Sequence, residues 1–290
     1  MKENRIKEIK FRNSEHNYPS FSVLISVYKN EIPRYLDRSL KSILNQTVIP
    51  DEIILIEDGE LPLSLEDVIK ENKRAFPKKF KIIKLKKNQG LGNALRIGTK
   101  YVSTDWIARM DSDDISTSER FEKQLQEIVE NKDLAVVGGQ VDEFSFDVSN
   151  IVGKRKVPIS YKEIINFAKW RSPFNHPTVM INKKALENVG GYIPFGNLED
   201  YYLWARIIAA GYNVYNLPDV LVKMRIDNGI YARRGKISNI KYIYALRNFL
   251  YEERIINSAE KYIGNFIMTI NILLPQGVRK VFYQRILHNN

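Results

Sequence analysis

Short apolar runs punctuate the first half of the chain at regular intervals, and each is followed by polar residues. The clearest are residues 21–27, 52–56, 80–85 and the run that opens at Trp106. They are too short for globular helices and rich in isoleucine and valine, so they predict buried strands. Helical spacing fills the intervals. Residues 32–45 place Leu36, Leu40, Ile43 and Leu44 on one face, with Pro33 in the first turn, where proline is tolerated. Residues 64–76 and 93–102 predict two more helices. This alternation is the pattern of a mainly parallel sheet covered by helices on both faces, with right-handed crossovers.

The second half is less regular. It predicts a helix over 118–130, a strand over 134–141, a helix over 161–169 and a strand over 176–181. A short helix over 183–189 ends at Gly190-Gly191, and another over 198–210 opens on Glu199-Asp200. From Lys236 onward tyrosine, isoleucine, asparagine and basic residues dominate. Residues 263–274 are apolar but span only about half of the roughly 20 residues that a membrane helix needs. Residues 278–287 show helical spacing with Arg279 and Lys280 off the apolar stripe. Two readings fit that piece: a helix lying on an anionic leaflet, or one packed on the body with a solvated basic face. The expected organisation is a polar extension over 1–20, one domain over 21–234 and a basic helical extension over 235–290.

Composition narrows the picture. The chain has 290 residues, 44% hydrophobic, so a sizeable core is available. Cysteine is absent, which excludes disulfides, cysteine-based zinc sites and thiol chemistry. The first twenty residues lack the apolar core of a signal peptide, and no run is long enough to cross a bilayer, so a cytosolic location is expected. A net charge of +11 points to an anionic partner: nucleic acid, a membrane surface or phosphorylated substrates. No nucleic-acid-binding fingerprint accompanies it.

Candidate chemistry sits at the strand ends. Tyr28 to Glu31, Asp58, Asn88 and Asp111-Ser112-Asp113-Asp114 each follow a strand, and in a parallel sheet these ends converge on one edge, where ligands bind. Three carboxylates within four positions repel one another unless a cation lies among them. Hard divalent ions favour such oxygen ligands together with substrate phosphates. A solvated acidic turn is the competing reading. The Asp-x-Asp pair also suggests an aspartate-nucleophile phosphohydrolase, but Asp113 is followed by Asp114-Ile115 and the pair lies on a fourth strand. Gly90-Leu91-Gly92 lacks the third glycine of a dinucleotide loop, whose place Leu95 takes. A basic membrane- or nucleic-acid-binding protein is the non-enzymatic alternative.

Taken together and in order, these segments resemble the family 2 glycosyltransferases. The resemblance is carried by Ser26-Val27-Tyr28-Lys29-Asn30-Glu31, Glu57-Asp58-Gly59, the run from Asn88 to Arg96, Asp111-Ser112-Asp113-Asp114, His176-Pro177-Thr178-Val179-Met180, and the run from Glu199 to Arg206. It covers about residues 21–234 and implies the GT-A fold, an α/β architecture with a mainly parallel sheet, plus a C-terminal helical extension. Arg225-Ile226-Asp227-Asn228-Gly229 is similar to the bacterial O-antigen and capsule branch, which builds on undecaprenyl diphosphate. Several members of that branch are β-1,3-glucosyl- or galactosyltransferases acting on GlcNAc-diphospho-lipid.

The resemblance implies roles. Asp113 and Asp111 hold Mn²⁺ or Mg²⁺, with Asp111 also towards the ribose or uracil. Asp114 supports them or belongs to the turn. Asp58 accepts from the uracil N–H; Tyr28, Glu31, Asn88 and Gly90 border the nucleotide, and Arg96 reaches it or is a solvated residue. Asp200 is the general base of an inverting displacement, with Glu199 beside it, although two acids at a helix start are also dipole-favoured. His176 touches the diphosphate or metal, or is structural. Trp204 stacks on a sugar or belongs to the core. Arg225, Arg233 and Arg234 bind the acceptor diphosphate or form a basic loop. The implied partners are a UDP-hexose, a polyprenyl-diphosphate-linked sugar and the cytoplasmic face of the inner membrane. Another UDP-sugar donor or a later repeat-unit acceptor is the alternative.

Overall fold

A computed structural model describes residues 17–226 and 237–274. Nine strands form a single sheet in the order β3-β2-β1-β4-β8-β6-β9-β5, with β7 paired to β6. The first four are β1 (Phe21–Val27), β2 (Glu52–Glu57), β3 (Phe80–Lys84) and β4 (Trp106–Asp111), all parallel. Their side chains alternate between two core layers. Val23, Ile25, Ile53, Leu55, Ala108 and Met110 face one layer; Leu24, Ile54, Ile56 and Ile107 face the other. Strands buried on both faces read as unbroken apolar runs, which is why they stand out in the sequence.

Helices α1 (Pro33–Leu44), α2 (Leu63–Ala75) and α4 (Arg120–Glu130) cover the first face. Leu36, Leu40 and Ile43 of α1 lie at helical spacing and are fully buried against it. Helix α3 (Leu91–Thr99) lies on the opposite face through Ala94 and Leu95, together with α5 (Tyr161–Ala168), α6 (Lys183–Asn188) and α7 (Glu199–Ala209). The chain winds outward from β1 to β3 and then returns to β4 on the other side. The strand order therefore reverses between β1 and β4, and a crevice opens outside their carboxyl ends. The register sets those ends level: Val27 pairs with Glu57, Ser26 with Asp111 and Glu57 with Lys84.

The rest of the sheet departs from the expected parallel pattern. β8 (Met180–Asn182) pairs antiparallel with both β4 and β6 (Leu134–Phe144); β6 and β9 (Asn213–Arg225) are parallel; β5 (Ile115–Ser116) and β7 (Ile151–Arg155) add antiparallel edges. The sheet is thus mixed. The strand expected over 176–181 is a 3-10 turn at His176–Thr178 followed by the short β8, because Pro177 cannot donate to a ladder. β9 was not expected. Pro218 sits in its middle, and it is accommodated where the β6–β9 register slips between Gly138 and Gln140.

Helices α8 (Ile240–Glu252) and α9 (Ser258–Leu273) close the described chain. Leu246 and Leu250 of α8 and Ile256 of the connecting turn pack against Tyr201 and Ala205 of α7, and Met268 of α9 joins the same cluster. Arg247, fully buried between them, donates to the carbonyls of Lys169 and Glu260. No helix among the described residues is long and apolar enough to cross a membrane. Residues 278–287, Arg233 and Arg234 lie outside the described residues, as do the proposed boundary after residue 234 and most of the N-terminal extension.

Candidate active site

Three loops meet at the carboxyl ends of β1, β2 and β4. The loop after β2 is bound to the turn at residues 88–90 by hydrogen bonds to backbone groups. Asp58 follows β2, is 4% exposed, and accepts from the backbone N–H of Gln89 at 2.7 Å and of Gly90 at 3.0 Å. Asn88 donates back to the Asp58 carbonyl at 3.2 Å. The approach is close enough that a Cβ on Gly59 would lie 2.8 Å from the Asn88 nitrogen, and Gly59 has φ +92°, so glycine is required there. Gly90 (φ +82°) then starts α3 two residues earlier than its sequence pattern suggests. Both oxygens of Asp58 are therefore engaged by main chain, and its observed occupation is to clasp two loops. Tyr28 stands 40% exposed past the end of β1, and Arg96 is exposed on α3.

The acidic turn after β4 is built in layers. Ser112 donates to Glu31 at 2.5 Å, and the other Glu31 oxygen accepts from the Ile32 N–H at 2.8 Å, so Glu31 ties the start of α1 to the turn. Asp114 is 1% exposed; one oxygen accepts from the Arg225 backbone N–H at 2.8 Å and the other is buried without a partner. Asp111 ion-pairs with Arg109, which is 1% exposed within β4. Burial, then the Asp111 and Glu31 carboxylates, push Asp113 up to about 7. Burial and the neighbouring Asp113 and Asp111 likewise hold Asp114 well above the usual carboxylate range. Such a cluster takes up protons when no cation balances it.

The second acid group opens α7. Glu199 and Asp200 occupy its first turn, where the helix dipole favours negative charge. Burial and the adjacent Asp200 push Glu199 up to about 7, and one of its oxygens is buried without a partner. Asp200, Asp111 and His176 line the same cavity, of about 510 Å³. The His176 Nε2 lies 3.1 Å from the Tyr192 hydroxyl, and its ring meets Trp204 edge-on at 6.0 Å. Burial and the Arg109 charge push the imidazole down to about 3, so it is neutral at working pH. Trp204 is fully buried and belongs to the core.

The structure thus gathers Asp111, His176 and Asp200 around one cavity, with Asp113 in the adjoining turn and Glu31, from the loop after β1, bonded to that turn through Ser112. Arg225 is 7% exposed, with its guanidinium 3.5 Å from the Tyr35 ring centroid and 4.5 Å from that of Phe144, behind the acids. Along the cavity itself the cations are Arg155, Lys156 and Arg171, and Trp170 joins them at 40% exposure. None of these was expected from the sequence, and no local pattern marks them. Arg109 did carry a signal: a charge inside an otherwise apolar strand, two residues before an acid.

Comparison with known proteins agrees with this geometry. Residues 22–190 match the family described as Glycosyl transferase family 2. A Haemophilus influenzae protein named as an uncharacterized glycosyltransferase is 40% identical over 92% of this chain and 98% of its own length. The Escherichia coli UDP-Gal:alpha-D-GlcNAc-diphosphoundecaprenol beta-1,3-galactosyltransferase is 38% identical over 93% of this chain and 97% of its own. The amylovoran biosynthesis glycosyltransferase AmsE of Erwinia amylovora is 35% identical over 91% of this chain and 98% of its own. Among solved structures, S. aureus TarS 1–349 in complex with UDP-GlcNAc superposes with a TM-score of 0.65 over 87% of this chain and 72% of TarS, at 19% identity. The mannosyltransferase PcManGT of Pyrobaculum calidifontis, in complex with GDP-Man and Mn²⁺, gives 0.60 over 95% and 80%, at 13% identity. The GT-A-like fold, the matched family and these relatives together place the chain in glycosyl transferase family 2, and it is a glycosyltransferase.

Proposed function

We propose that the protein transfers a hexose, glucose or galactose, from a UDP-sugar to GlcNAc-diphospho-undecaprenol with inversion, forming a β-1,3 linkage in O-antigen or capsule assembly. The observation that carries this reading is the shared cavity: Asp111 at the end of β4 and Asp200 at the start of α7 face one space. The acceptor named for the E. coli relative supplies the substrate class. In this reading the acceptor hydroxyl attacks the anomeric carbon and gives its proton to the Asp200 carboxylate. The bond from that carbon to the diphosphate oxygen breaks, and UDP departs. Proton transfer to a positioned carboxylate contributes about 10²–10⁴ in rate. Glu199, whose burial favours its protonated form, keeps the pair from carrying two charges.

A divalent cation fits the acidic turn. Asp114 has a buried orphan oxygen and Asp113 is held at about 7 by its neighbours, so positive charge is wanted there. Asp111 and Asp113 would hold the ion, with further oxygen ligands available from the donor's phosphates. When bound, Mn²⁺ or Mg²⁺ would act as a Lewis acid that offsets charge on the departing diphosphate. The Asp58 clasp shapes the loop at the base side, with Tyr28 at its edge. Work at the cytoplasmic face of the inner membrane follows from a lipid-linked acceptor. The test is a donor screen with UDP-Glc, UDP-Gal, UDP-GlcNAc and UDP-GalNAc against GlcNAc-diphospho-lipid. Transfer of glucose or galactose that stops with EDTA supports the reading; transfer unaffected by EDTA, or to sugars lacking the diphospho-lipid alone, contradicts it.

A further inference from the structure

The cavity that contains Asp111 and Asp200 has a second wall that the chemistry at those acids does not use. It comes from the two C-terminal helices and is aliphatic: Ile243 and Leu246 of α8, and Ile267, Met268 and Ile272 of α9. The same cavity is also lined by cations. Arg155 and Lys156 stand at the end of β7, and Arg171 follows α5 with its guanidinium 4.9 Å from the Phe167 ring centroid. Arg155 forms an ion pair with buried Glu143.

A site for a water-soluble sugar alone has little use for five aliphatic side chains, and a site for a hydrocarbon alone has none for three cations. The two linings together match a molecule that is anionic in its middle and apolar at one end. We propose that this wall receives the lipid-proximal part of the acceptor: its diphosphate against Arg155, Lys156 and Arg171, and its first isoprenoid units against α8 and α9. The proposal rests on the acceptor class argued above. It moves the diphosphate contact away from Arg225, whose guanidinium is enclosed by Tyr35 and Phe144. It also gives the chain an exit. Ile267 lines the cavity yet is 48% exposed, and Ile263, Phe266 and Ile270 continue an exposed apolar face along α9 towards which a long polyprenyl tail can run.

The probe is farnesyl diphosphate, which carries no sugar. Of the three tryptophans, Trp106 and Trp204 are buried and Trp170 lines the cavity, so intrinsic fluorescence reports on this wall. Wild-type protein should show a saturable blue shift that Trp170→Phe abolishes. Ile267→Glu should weaken binding at least tenfold, whereas Tyr262→Glu, the same change at a residue of α9 that does not line the cavity, should bind as wild type. Lys156→Glu, at an exposed position, should weaken farnesyl diphosphate but leave farnesol unaffected. No saturable shift in the wild type, a shift that survives Trp170→Phe, or equal affinities for Ile267→Glu and Tyr262→Glu would each overturn the proposal. Because the probe lacks a sugar, intact probe binding without transfer to GlcNAc-diphospho-lipid would remove the acceptor-sugar reading and leave the lipid wall standing.

Discussion

The acidic turn after β4 and the acid pair at the head of α7 are both clusters of adjacent carboxylates, but their surroundings differ. The turn opens no helix of its own; burial and the Asp111 and Glu31 carboxylates hold Asp113 at about 7, as burial and Asp200 hold Glu199, and Asp114, like Glu199, keeps a buried orphan oxygen. The pair lies in the first turn of a helix, where backbone N–H groups already favour negative charge. The first arrangement asks for a cation. The second sustains a carboxylate that can accept a proton from a neighbouring hydroxyl. In the proposed mechanism, clusters that look alike in sequence take different roles, one holding a cation and the other accepting a proton, and substitutions can separate them.

The division breaks most severely at Asp200. Asp200→Asn should lower kcat by about 10²–10⁴, the usual worth of a positioned base, while donor binding stays near that of the wild type. Equal losses in kcat and donor affinity would merge the two sites into one. Asp113→Asn should have nearly as large an effect on turnover, through lost retention of the donor diphosphate, and its thermal unfolding should no longer respond to Mn²⁺ with UDP.

A pH series sharpens the comparison. Asp113 and Glu199 keep their protons to about pH 7 when folded but release them near 4 when unfolded. Between those values the folded state binds more protons, so this contribution to stability falls as pH rises through the window. Added Mn²⁺ with UDP competes with the proton at the turn. Its stabilisation, read as a rise in Tm, should be larger at pH 8 than at pH 5, and Asp113→Asn should flatten that difference. The smallest effect is expected for Glu199→Gln, which keeps the volume and removes a buried charge. It should raise Tm at pH 8 by a few degrees, since about 1 kcal/mol moves a domain of this size by roughly 2–4 °C.

How much of this is legible in the sequence follows from burial. β1, β2 and β4 are covered on both faces, so their apolar runs are continuous and their polar ends mark the crevice. α1 shows its spacing because one face is buried and the other is not. β9 escapes notice because it mixes asparagine, aspartate and lysine around Pro218, and its order comes from pairing with β6, far away in the chain. The acids at 111–114 and 199–200 are visible as local clusters. Arg155, Lys156, Trp170 and Arg171 are not, since only the fold brings β7 and the turn after α5 to the same cavity. Asp58 was legible as a strand-end acid, yet its partners, the backbone N–H groups of Gln89 and Gly90, carry no side-chain signature.

The most direct test of the central claim is an electron paramagnetic resonance titration of Mn²⁺ in the presence of UDP, run on wild type, Asp113→Asn and Asp200→Asn. The account predicts that Asp200→Asn, though inactive in transfer, binds the ion with UDP as the wild type does, and that Asp113→Asn does not. Equal binding by all three proteins, or loss of binding in Asp200→Asn alone, would contradict it.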